Sequence, residues 1–441
     1  SNVSLSAPLL NCQHSHRSHL SDWRELLETD VTSESTHSVD HTTEMIPVVC
    51  LIPMVVSWGS ALDVSFHPNT TPEYLVDRVR DFTGILGEEL FLLSSARNSN
   101  VVFSGLRVFT SLVRAQHGAT RLTKREIGDA LLVDPSLQLC DLVTNLTSLG
   151  PCHDHRDFNM VHRHYLFFDR SLDPNHPMLR HSCFQDEYKP IPFGNQSTAW
   201  AAVNDWYRRL PSKQDRRYLD HPLQADSKVI FLSGFRQSNL SMLGYVTAST
   251  VMFENIDQET VTLPGMKKTG QFYTTGPYQG FTIYREDLPG DRYSLLFLQV
   301  NMVPMELRQN FVLSFKPQVL KQLLQTAMEI TTVTNMTLIL PAVSLDSRLD
   351  LRPVLEDMCI HSLFEQRNAL RRLFSTDFYV NEFPHSETLD FFPSAPRKGQ
   401  TDLPRPKTIS TPFWVLIVNK HNRVPLLSGL HLGFPSNIGS L

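Results

Sequence analysis

The stretch of sequence that decides the fold is LPAVSLDSRLDLRPVLEDMCIHSLF, residues 340–364. It continues a strand-like run at Thr337–Leu340, and another strand-like run, Phe413–Val418, follows near the end of the chain. In the rest of the chain, helical apolar patterns dominate the earlier part. Strand-like runs dominate the later part. This segregation of helices and strands is typical of an α+β domain with a dominant sheet.

The earlier elements can be placed from their apolar spacing. Between residues 72 and 95, apolar residues recur at steps of three and four, which predicts an amphipathic helix with one face towards a core. Asn100–Ser104 is predicted to be a short buried strand. Thr123-Lys-Arg-Glu126 has capping-box form and predicts the start of another helix. Val229–Leu232 is too apolar for a half-solvated strand and is expected to be buried on both faces.

Blocks of residues spread along the chain resemble the serpin family, and they occur in the family's order and spacing. The match covers nearly all of residues 70–436, and the block at 340–364 is its most specific part. The residues that carry the resemblance are Asn100, Ser104, His117-Gly118-Ala119, Thr123, Glu126, Ile127, Leu131, Asn204, Trp206, Met266, Gly270, Phe272, Leu340-Pro341, Leu345-Asp346-Ser347, Asp350-Leu351, Leu355, Met358, Leu363-Phe364, Pro412-Phe413, Leu416-Ile417, Leu427-Ser428-Gly429 and Pro435.

The resemblance implies a metastable α+β fold with three β-sheets, about eight or nine helices and an exposed reactive loop near the carboxyl terminus. In inhibitory serpins a protease cleaves this loop, which then inserts as a new strand into the centre of the main sheet. A strand in that position must hydrogen-bond along both edges, so an insertable loop should be free of proline.

The reactive loop of this chain is rich in proline. Because His385 matches the family's histidine in the preceding strand, that strand should end at Phe391, just before the loop. The following segment, PSAPRKGQTDLPRP (residues 393–406), contains four prolines, and Pro393 and Pro396 lie where insertion must begin. Since each proline removes a backbone donor from a sheet, the sequence predicts a non-inhibitory member of the family.

The alternative is a working inhibitor. Arg397 and Lys398 are the only adjacent basic pair in the loop. In an extracellular inhibitor of trypsin-like proteases they would be the bait residues. The other interpretations are a processing site and a solvated, flexible loop. Three departures from the family pattern argue against the inhibitor. Its asparagine in the sheet-opening region falls on Ser233, its tryptophan after that strand falls on Ser241, and Arg107 stands where a small hydroxyl residue is usual.

The composition is that of a globular protein. The chain has 441 residues, 41% of them hydrophobic, which is enough to bury a large core. Its formal net charge of −5 does not favour a nucleic-acid binder. No apolar run reaches the ~20 residues that cross a bilayer, so no membrane span is expected. We expect a monomer.

The amino-terminal region is predicted to be a leader. Residues 1–44 form a polar tail, and residues 45–61 have the outline of a signal peptide with a cleavage site near Ala61, although a buried strand is the alternative. A single serpin-like domain is predicted over residues 62–441. Asparagine sequons support secretion. Those beyond the predicted cleavage site are Asn69, Asn145, Asn195, Asn239 and Asn335. These features predict a secreted, extracellular glycoprotein.

The cysteines allow more than one state. Cys140, Cys152, Cys183 and Cys359 follow the predicted leader. Cys140 and Cys152 enclose a short connection and are the predicted disulfide pair, with buried reduced thiols as the alternative.

The predicted mature terminus carries a candidate peptide segment. Val64, His67 and Pro68 match part of the hormone segment of the angiotensinogens, non-inhibitory serpins that carry a vasoactive peptide. Asn69 stands where that segment has an aromatic residue, so an unrelated glycosylated tail is the alternative reading.

Other sites are weaker in the sequence. Cys12, His14, His16 and His19 have ligand chemistry but lie in the leader, so no metal site and no cofactor are predicted. The basic run at residues 208–217 suggests a sulfated polysaccharide or a solvated face. No enzyme motif is present, so no catalytic residue is predicted and the chain is not expected to be an enzyme. The sequence predicts a non-inhibitory peptide precursor, carrier or regulatory binding protein. The expected partners are a protease or processing enzyme, a small hydrophobic ligand or a sulfated polysaccharide.

Overall fold

The computed structural model describes residues 71–137, 139–140, 143, 146, 160–181, 183–184, 187–209, 217–224, 226–237, 243–301, 307–391, 393–395 and 406–434. All of them belong to one compact unit, Thr70–Leu441. The predicted leader, residues 1–61, lies outside the described residues, and its boundary stays a prediction.

The described residues form helices and strands in the following order. The helices are α1 (Pro72–Ala96), α2 (Gly105–Gly118), α3 (Arg121–Ala130), α4 (His176–Leu179), α5 (Gln196–Arg208), α6 (Leu307–Phe315), α7 (Pro317–Glu329), α8 (Arg352–Asp357) and α9 (Ser362–Glu365). The strands are β1 (Val101–Phe103), β2 (Met160–Asp169), β3 (Tyr188–Ile191), β4 (Val229–Gln237), β5 (Val246–Glu254), β6 (Thr260–Thr274), β7 (Phe281–Asp287), β8 (Tyr293–Val300), β9 (Val333–Pro341), β10 (Ser344–Asp350), β11 (Pro384–Asp390), β12 (Lys407–Thr408), β13 (Phe413–Asn419) and β14 (Pro425–His431).

Helix α1 confirms the first helical prediction. Thr71 caps its amino terminus, because its hydroxyl accepts a hydrogen bond from the backbone N–H of Tyr74 at 3.2 Å. Most of the apolar residues at steps of three and four, among them Phe82 and Leu86, are fully buried. Burial of each such side chain contributes roughly 1.5–3 kcal/mol, so this face fixes α1 to the core.

The capping-box prediction at Thr123-Lys-Arg-Glu126 is wrong. Helix α3 begins earlier, at Arg121, so Thr123 lies inside it. The Glu126 carboxylate accepts hydrogen bonds from the backbone N–H groups of His361 and Ser362, at 3.1 and 2.7 Å. Glu126 therefore satisfies donors at the start of α9 rather than its own helix.

The largest sheet has nine strands in the order β1-β14-β13-β8-β7-β6-β9-β12, with β5 paired to β6. Strand β13 lies between β8 and β14, and every residue from Phe413 to Val418 is buried. Strand β6 is the longest strand of this sheet, with fifteen residues. Its residues Gly265–Tyr273 pair without interruption with β9.

Two smaller sheets complete the fold. Strands β3, β2 and β4 form one, and β10 and β11 form the other. With the nine-stranded sheet they confirm the predicted α+β fold with three sheets. Val229–Leu232 is buried in β4, as predicted. In the part of the chain that the structure describes, no helix is long and apolar enough to cross a membrane.

Candidate functional site

The candidate site is the gap between strands β4 and β11. Strand β11 pairs with β10 along one edge, and β4 is the nearest strand beyond its other edge. Among the described residues, no strand pairing joins β4 to β11. The reactive loop leaves the end of β11, so a loop that folded back as a strand would enter this gap.

Arg107 bridges the gap from α2. Its Nε donates to the Ser233 hydroxyl of β4 at 3.2 Å. Its Nη1 donates to the Ser386 carbonyl of β11 at 3.1 Å and forms an ion pair with Glu387. The side chains of Arg107 and Glu387 are 0% and 2% exposed, so both charges are withdrawn from water. A buried pair of this kind is costly to break, because removal of one partner leaves a buried charge that neither water nor an opposite charge stabilises.

Burial also shifts the pKa values of the titratable groups next to Arg107. Burial raises the pKa of Glu387 to about 7, although Arg107 opposes the shift. The Nε2 of His385 accepts a hydrogen bond from the Ser104 N–H at 3.3 Å. Burial, and then the charge of Arg107, lower the pKa of His385 well below its usual value. His385 is therefore neutral at neutral pH, and Arg107 is the fixed positive charge of the gap.

Tyr218 makes a second bridge. Its hydroxyl lies 3.4 Å from the Ser233 carbonyl oxygen of β4 and 3.1 Å from the Pro384 carbonyl oxygen of β11. Asn204 of α5 positions this residue, because its Oδ1 accepts from the backbone N–H groups of Tyr218 and Leu219 at 2.6 and 3.0 Å. The Asn204-x-Trp206 pattern found in the sequence thus holds the segment that spans the gap.

A third contact ties the chain that enters β11 to the chain that enters β4. The Glu382 carboxylate accepts from the backbone N–H of Gln224 at 2.5 Å and from the hydroxyl of Ser227 at 3.0 Å. Burial raises the pKa of Glu382, and these two hydrogen bonds oppose the rise.

The start of the reactive loop is anchored beside the gap. Phe391 is fully buried and stacks on the Tyr245 ring at 5.6 Å between centroids. The Ser394 N–H donates to the Tyr245 carbonyl at 3.0 Å, and the Ser394 carbonyl accepts from the Thr247 N–H at 2.8 Å. The Tyr245 hydroxyl donates to Glu286 at 3.2 Å. The first loop residues are thus paired with the chain at the start of β5.

Comparison with known proteins identifies the fold and the family. A family model described as Serpin (serine protease inhibitor) matches residues 81–432. The chain belongs to the serpin family. A search of the curated proteins gives no match.

Solved serpin structures resemble the whole described unit. Thyroxine-binding globulin complexed with thyroxine has a TM-score of 0.67 at 16% identity, covering 82% of this chain and 100% of that one. Human glycosylated kallistatin has a TM-score of 0.68 at 16% identity, covering 83% and 99%. Native protease nexin-1 with heparin has a TM-score of 0.65 at 15% identity, covering 82% and 100%. At these identities the likeness shows the fold alone.

Some of the predicted serpin features can be placed in the structure and others cannot. Strand β11 ends at Asp390, so the expected strand end at Phe391 is correct to within one residue. Pro393 is half-buried and directly precedes the Ser394 anchor. The other candidate residues Pro396, Arg397, Lys398, Asn69, Asn145, Asn239, Cys152, Val64, His67 and Pro68 lie outside the described residues and stay predictions.

Two sequons lie on described residues. Asn195 is exposed and caps α5, since its Oδ1 accepts from the Thr198 N–H at 3.1 Å. Asn335 is exposed on β9, while Thr337 of the same sequon is fully buried and its hydroxyl lies 2.8 Å from that of Thr269.

The predicted Cys140–Cys152 disulfide is wrong. Cys140 is bonded to Cys183, and their Cα atoms are 4.8 Å apart. Sequence proximity favoured Cys152, but the fold brings the segment after α4 against Cys140, although 43 positions separate the two cysteines. Cys359 is also disulfide-bonded, to a partner outside the described residues.

The basic run contains charges that already have partners. Arg208 forms an exposed ion pair with Asp205 at 2.7 Å. The Arg217 guanidinium lies over the Trp200 ring, 5.1 Å from its centroid. Lys213 and Arg216 lie outside the described residues.

Sequence reasoning missed Glu387 and Tyr218. It identified Arg107 as a departure, and a buried arginine in a predicted core helix requires an acceptor. Glu387 follows His385 by two positions and so points to the same face of β11, which was the available signal. Tyr218 carried no such signal, because only the fold brings it to the gap.

Proposed function

We propose that this serpin is a secreted glycoprotein that acts without catalysis and without trapping proteases, as a peptide precursor, carrier or regulatory binding protein. The observation that carries the proposal is the Arg107 bridge between β4 and β11. A strand that entered the gap would have to separate these contacts.

The cost of separating the bridge is electrostatic. If β4 and β11 move apart, Arg107 can keep its ion pair with Glu387 only by giving up Ser233. The Tyr218 hydroxyl likewise loses one of its two carbonyl neighbours. Unsatisfied buried polar groups cost about 1–3 kcal/mol each, and charged groups cost more. An incoming strand would have to offset these losses with its own hydrogen bonds.

The loop is poorly suited to supply them. Insertion must begin at residues that are anchored elsewhere, since Ser394 is hydrogen-bonded to the chain at Tyr245 and Thr247. Pro393 has no N–H to donate, and Pro396 follows two residues after the anchor. The four prolines of residues 393–406 and the Ser394 anchor therefore both oppose insertion of the loop into the gap.

The sequons, the leader pattern and the disulfide chemistry support an extracellular site of action. The segment Val64, His67 and Pro68 supports a peptide precursor. Two similar structures, thyroxine-binding globulin with thyroxine and protease nexin-1 with heparin, support the carrier and polysaccharide-binding alternatives for a chain of this fold.

The protease test separates a non-inhibitory serpin from an inhibitor. The purified full chain is incubated with a panel of trypsin-like proteases and separated on a denaturing gel. We expect cleavage in the loop without a protease adduct that survives denaturation. A stable adduct that disappears in an Arg397→Ala/Lys398→Ala variant but persists in Arg405→Ala would overturn the proposal. Arg405 is a matched control, because it precedes Pro406 and is a poor cleavage site.

The thermal test examines insertion directly. Insertion after cleavage adds a central strand and raises the melting temperature. We expect the cleaved protein to melt within a few degrees of the intact protein. Release of the predicted peptide is tested separately, by mass spectrometry of secreted material for a fragment that begins near Leu62.

The second candidate function is inhibition of trypsin-like proteases. The absence of strand pairing between β4 and β11 in the described residues favours it, because an incoming strand would not have to displace a sheet ladder. The same two tests decide between the candidates.

A further inference from the structure

A cluster of metal-ligating side chains lies away from the gap. It joins the last turn of α2 to Cys140 and to the segment after α4. We call it the His-Cys cluster, and its members are His117, Cys140, His181 and Cys183.

The spacing of the cluster fits one small metal ion. The four potential ligand atoms all lie within 4.8 Å of one another. The rings of His117 and His181 are 4.3 Å apart between centroids. Tetrahedral zinc, with Zn–S of about 2.3 Å and Zn–N of about 2.0–2.1 Å, places its ligand atoms roughly 3.3–3.8 Å apart. Small side-chain rotations would bring the four atoms to that separation.

His117 is prepared as a ligand. Its Nε2 is buried and has no hydrogen-bond partner in the part of the chain that the structure describes. The neutral imidazole binds a metal through the ring nitrogen that carries no proton. A buried, unpartnered nitrogen is costly, and a metal ion would satisfy it.

Arg114 holds the segment that carries Cys183. Its Nε donates to the carbonyl of Cys183 at 2.5 Å, and its guanidinium lies over the Phe184 ring, 5.5 Å from its centroid. Its Nη2 lies 3.6 Å from a carboxylate oxygen of Glu187, so the charge of Arg114 is paired next to the cluster. Two thiolates and two neutral imidazoles around a divalent ion give a neutral site, so burial carries little penalty.

We propose that the His-Cys cluster is a Cys₂His₂ zinc site when its cysteines are reduced, and that the Cys140–Cys183 disulfide is its oxidised, metal-free form. A thiol reductant converts one form to the other. Two reductant thiols become a disulfide, and Cys140 and Cys183 each receive one electron and one proton. Zinc binding then releases the two thiol protons. This site is independent of the gap and of the proposed non-inhibitory role, and in an oxidising extracellular environment it takes the disulfide form.

Cobalt binding tests the site in the full chain. The protein is reduced anaerobically with a dithiol, the reductant is removed, and Co²⁺ is titrated as a spectroscopic probe, followed by displacement with Zn²⁺. We expect one equivalent of Co²⁺ with thiolate-to-cobalt absorption and the intense visible bands of a tetrahedral site. We also expect that the oxidised protein shows neither feature.

Variants assign the signal to the cluster. His181→Asn alters an exposed residue and should leave the fold intact, yet weaken Co²⁺ binding by about tenfold or more. Cys183→Ser should remove most of the thiolate absorption. His176→Asn, on α4 but outside the cluster, is the control and should bind like the unmodified chain.

The cysteine and histidines of the leader could also bind cobalt, so the comparison between variants decides the result. The proposal is overturned if the reduced chain shows no thiolate-to-cobalt absorption. It is also overturned if His181→Asn and Cys183→Ser both retain the full signal, or if the oxidised chain binds equally well.

Discussion

The nine-stranded sheet and the gap between β4 and β11 are held together by different chemistry. In the sheet, β13 is paired on both sides, and residues 413–418 are all buried and apolar. The Trp414 ring packs against Phe315 at 4.5 Å between centroids. Across the gap, the main links are the Arg107 ion pair, the Tyr218 hydroxyl and the Glu382 carboxylate.

The difference separates what makes the fold from what makes this serpin unusual. The apolar sheet carries the family pattern in its sequence, from Phe413 through Gly429. The gap carries two of the three departures, Arg107 and Ser233, and these two residues contact each other. The third, Ser241, lies outside the described residues. Arg107 and Ser233 therefore form one structural unit, which changes how the two smaller sheets are held together while leaving the fold intact.

The largest expected effect comes from removing the buried arginine. Arg107→Ala leaves Glu387 buried without its partner, so we expect the free energy of unfolding to fall by about 3–5 kcal/mol. Urea denaturation measures the change. Arg371→Ala removes an arginine from an exposed pair with Asp377 at 2.9 Å and should cost less than about 1 kcal/mol.

The double variant Arg107→Ala/Glu387→Ala tests the coupling. Because both charges are removed together, it should be more stable than the sum of the two single effects predicts, by about 1 kcal/mol or more. Strict additivity would mean that the pair does not hold the gap and would break the comparison.

The next effect is a pH dependence. The pKa of Glu387 is raised from 4.5 to about 7 in the folded protein, so its protonated form is favoured on folding. This contribution is fully present below pH 4.5 and is lost as the pH rises through 7. Unmodified protein should therefore lose up to about 3 kcal/mol relative to Glu387→Gln between these pH values.

The test uses the difference in the free energy of unfolding between the unmodified protein and Glu387→Gln. His385 has a lowered pKa and by itself makes stability rise towards neutral pH, but both proteins contain it. Denaturation midpoints from pH 4 to pH 8 supply the measurement. A constant difference across that range contradicts the role assigned to Glu387.

A smaller effect is expected in the nine-stranded sheet. Ile417 is fully buried in β13, and Ile417→Val removes one methylene group, which should cost about 1 kcal/mol. Because no titratable partner is involved, the cost should be the same at pH 5 and pH 8. A marked change with pH would show that the sheet and the gap are not energetically distinct.

The smallest effect on stability concerns the loop anchor. Ser394→Pro removes the N–H that binds the Tyr245 carbonyl, and the cost should be below about 1 kcal/mol. The loop should nevertheless be cut faster by trypsin at Arg397 or Lys398. Ser394→Ala keeps the N–H and loses only the hydroxyl contact at 3.3 Å, so its cleavage rate should match that of the unmodified chain.

The sequence predicted those parts of the molecule in which local pattern and tertiary packing agree. Helix α1 follows from its apolar spacing. Strand β13 and the buried strand at Val229 follow from their composition. Glu126 was misread because its pattern fits a local cap, whereas the fold supplies two donors from α9. The Cys140–Cys183 pair and the Tyr218 bridge depend on contacts between distant segments, and no local property of the sequence encodes them.

The capping role of Thr71 affects the choice of substitutions that remove glycosylation sites from this protein. Thr71 completes the Asn69 sequon and also accepts the Tyr74 N–H at the start of α1. Replacing it to abolish sugar attachment would fray the helix as well. Asn69→Gln removes the sequon and leaves the cap of α1 unchanged. At Asn195 the asparagine is itself a cap, so Ser197 is the safer position to change there.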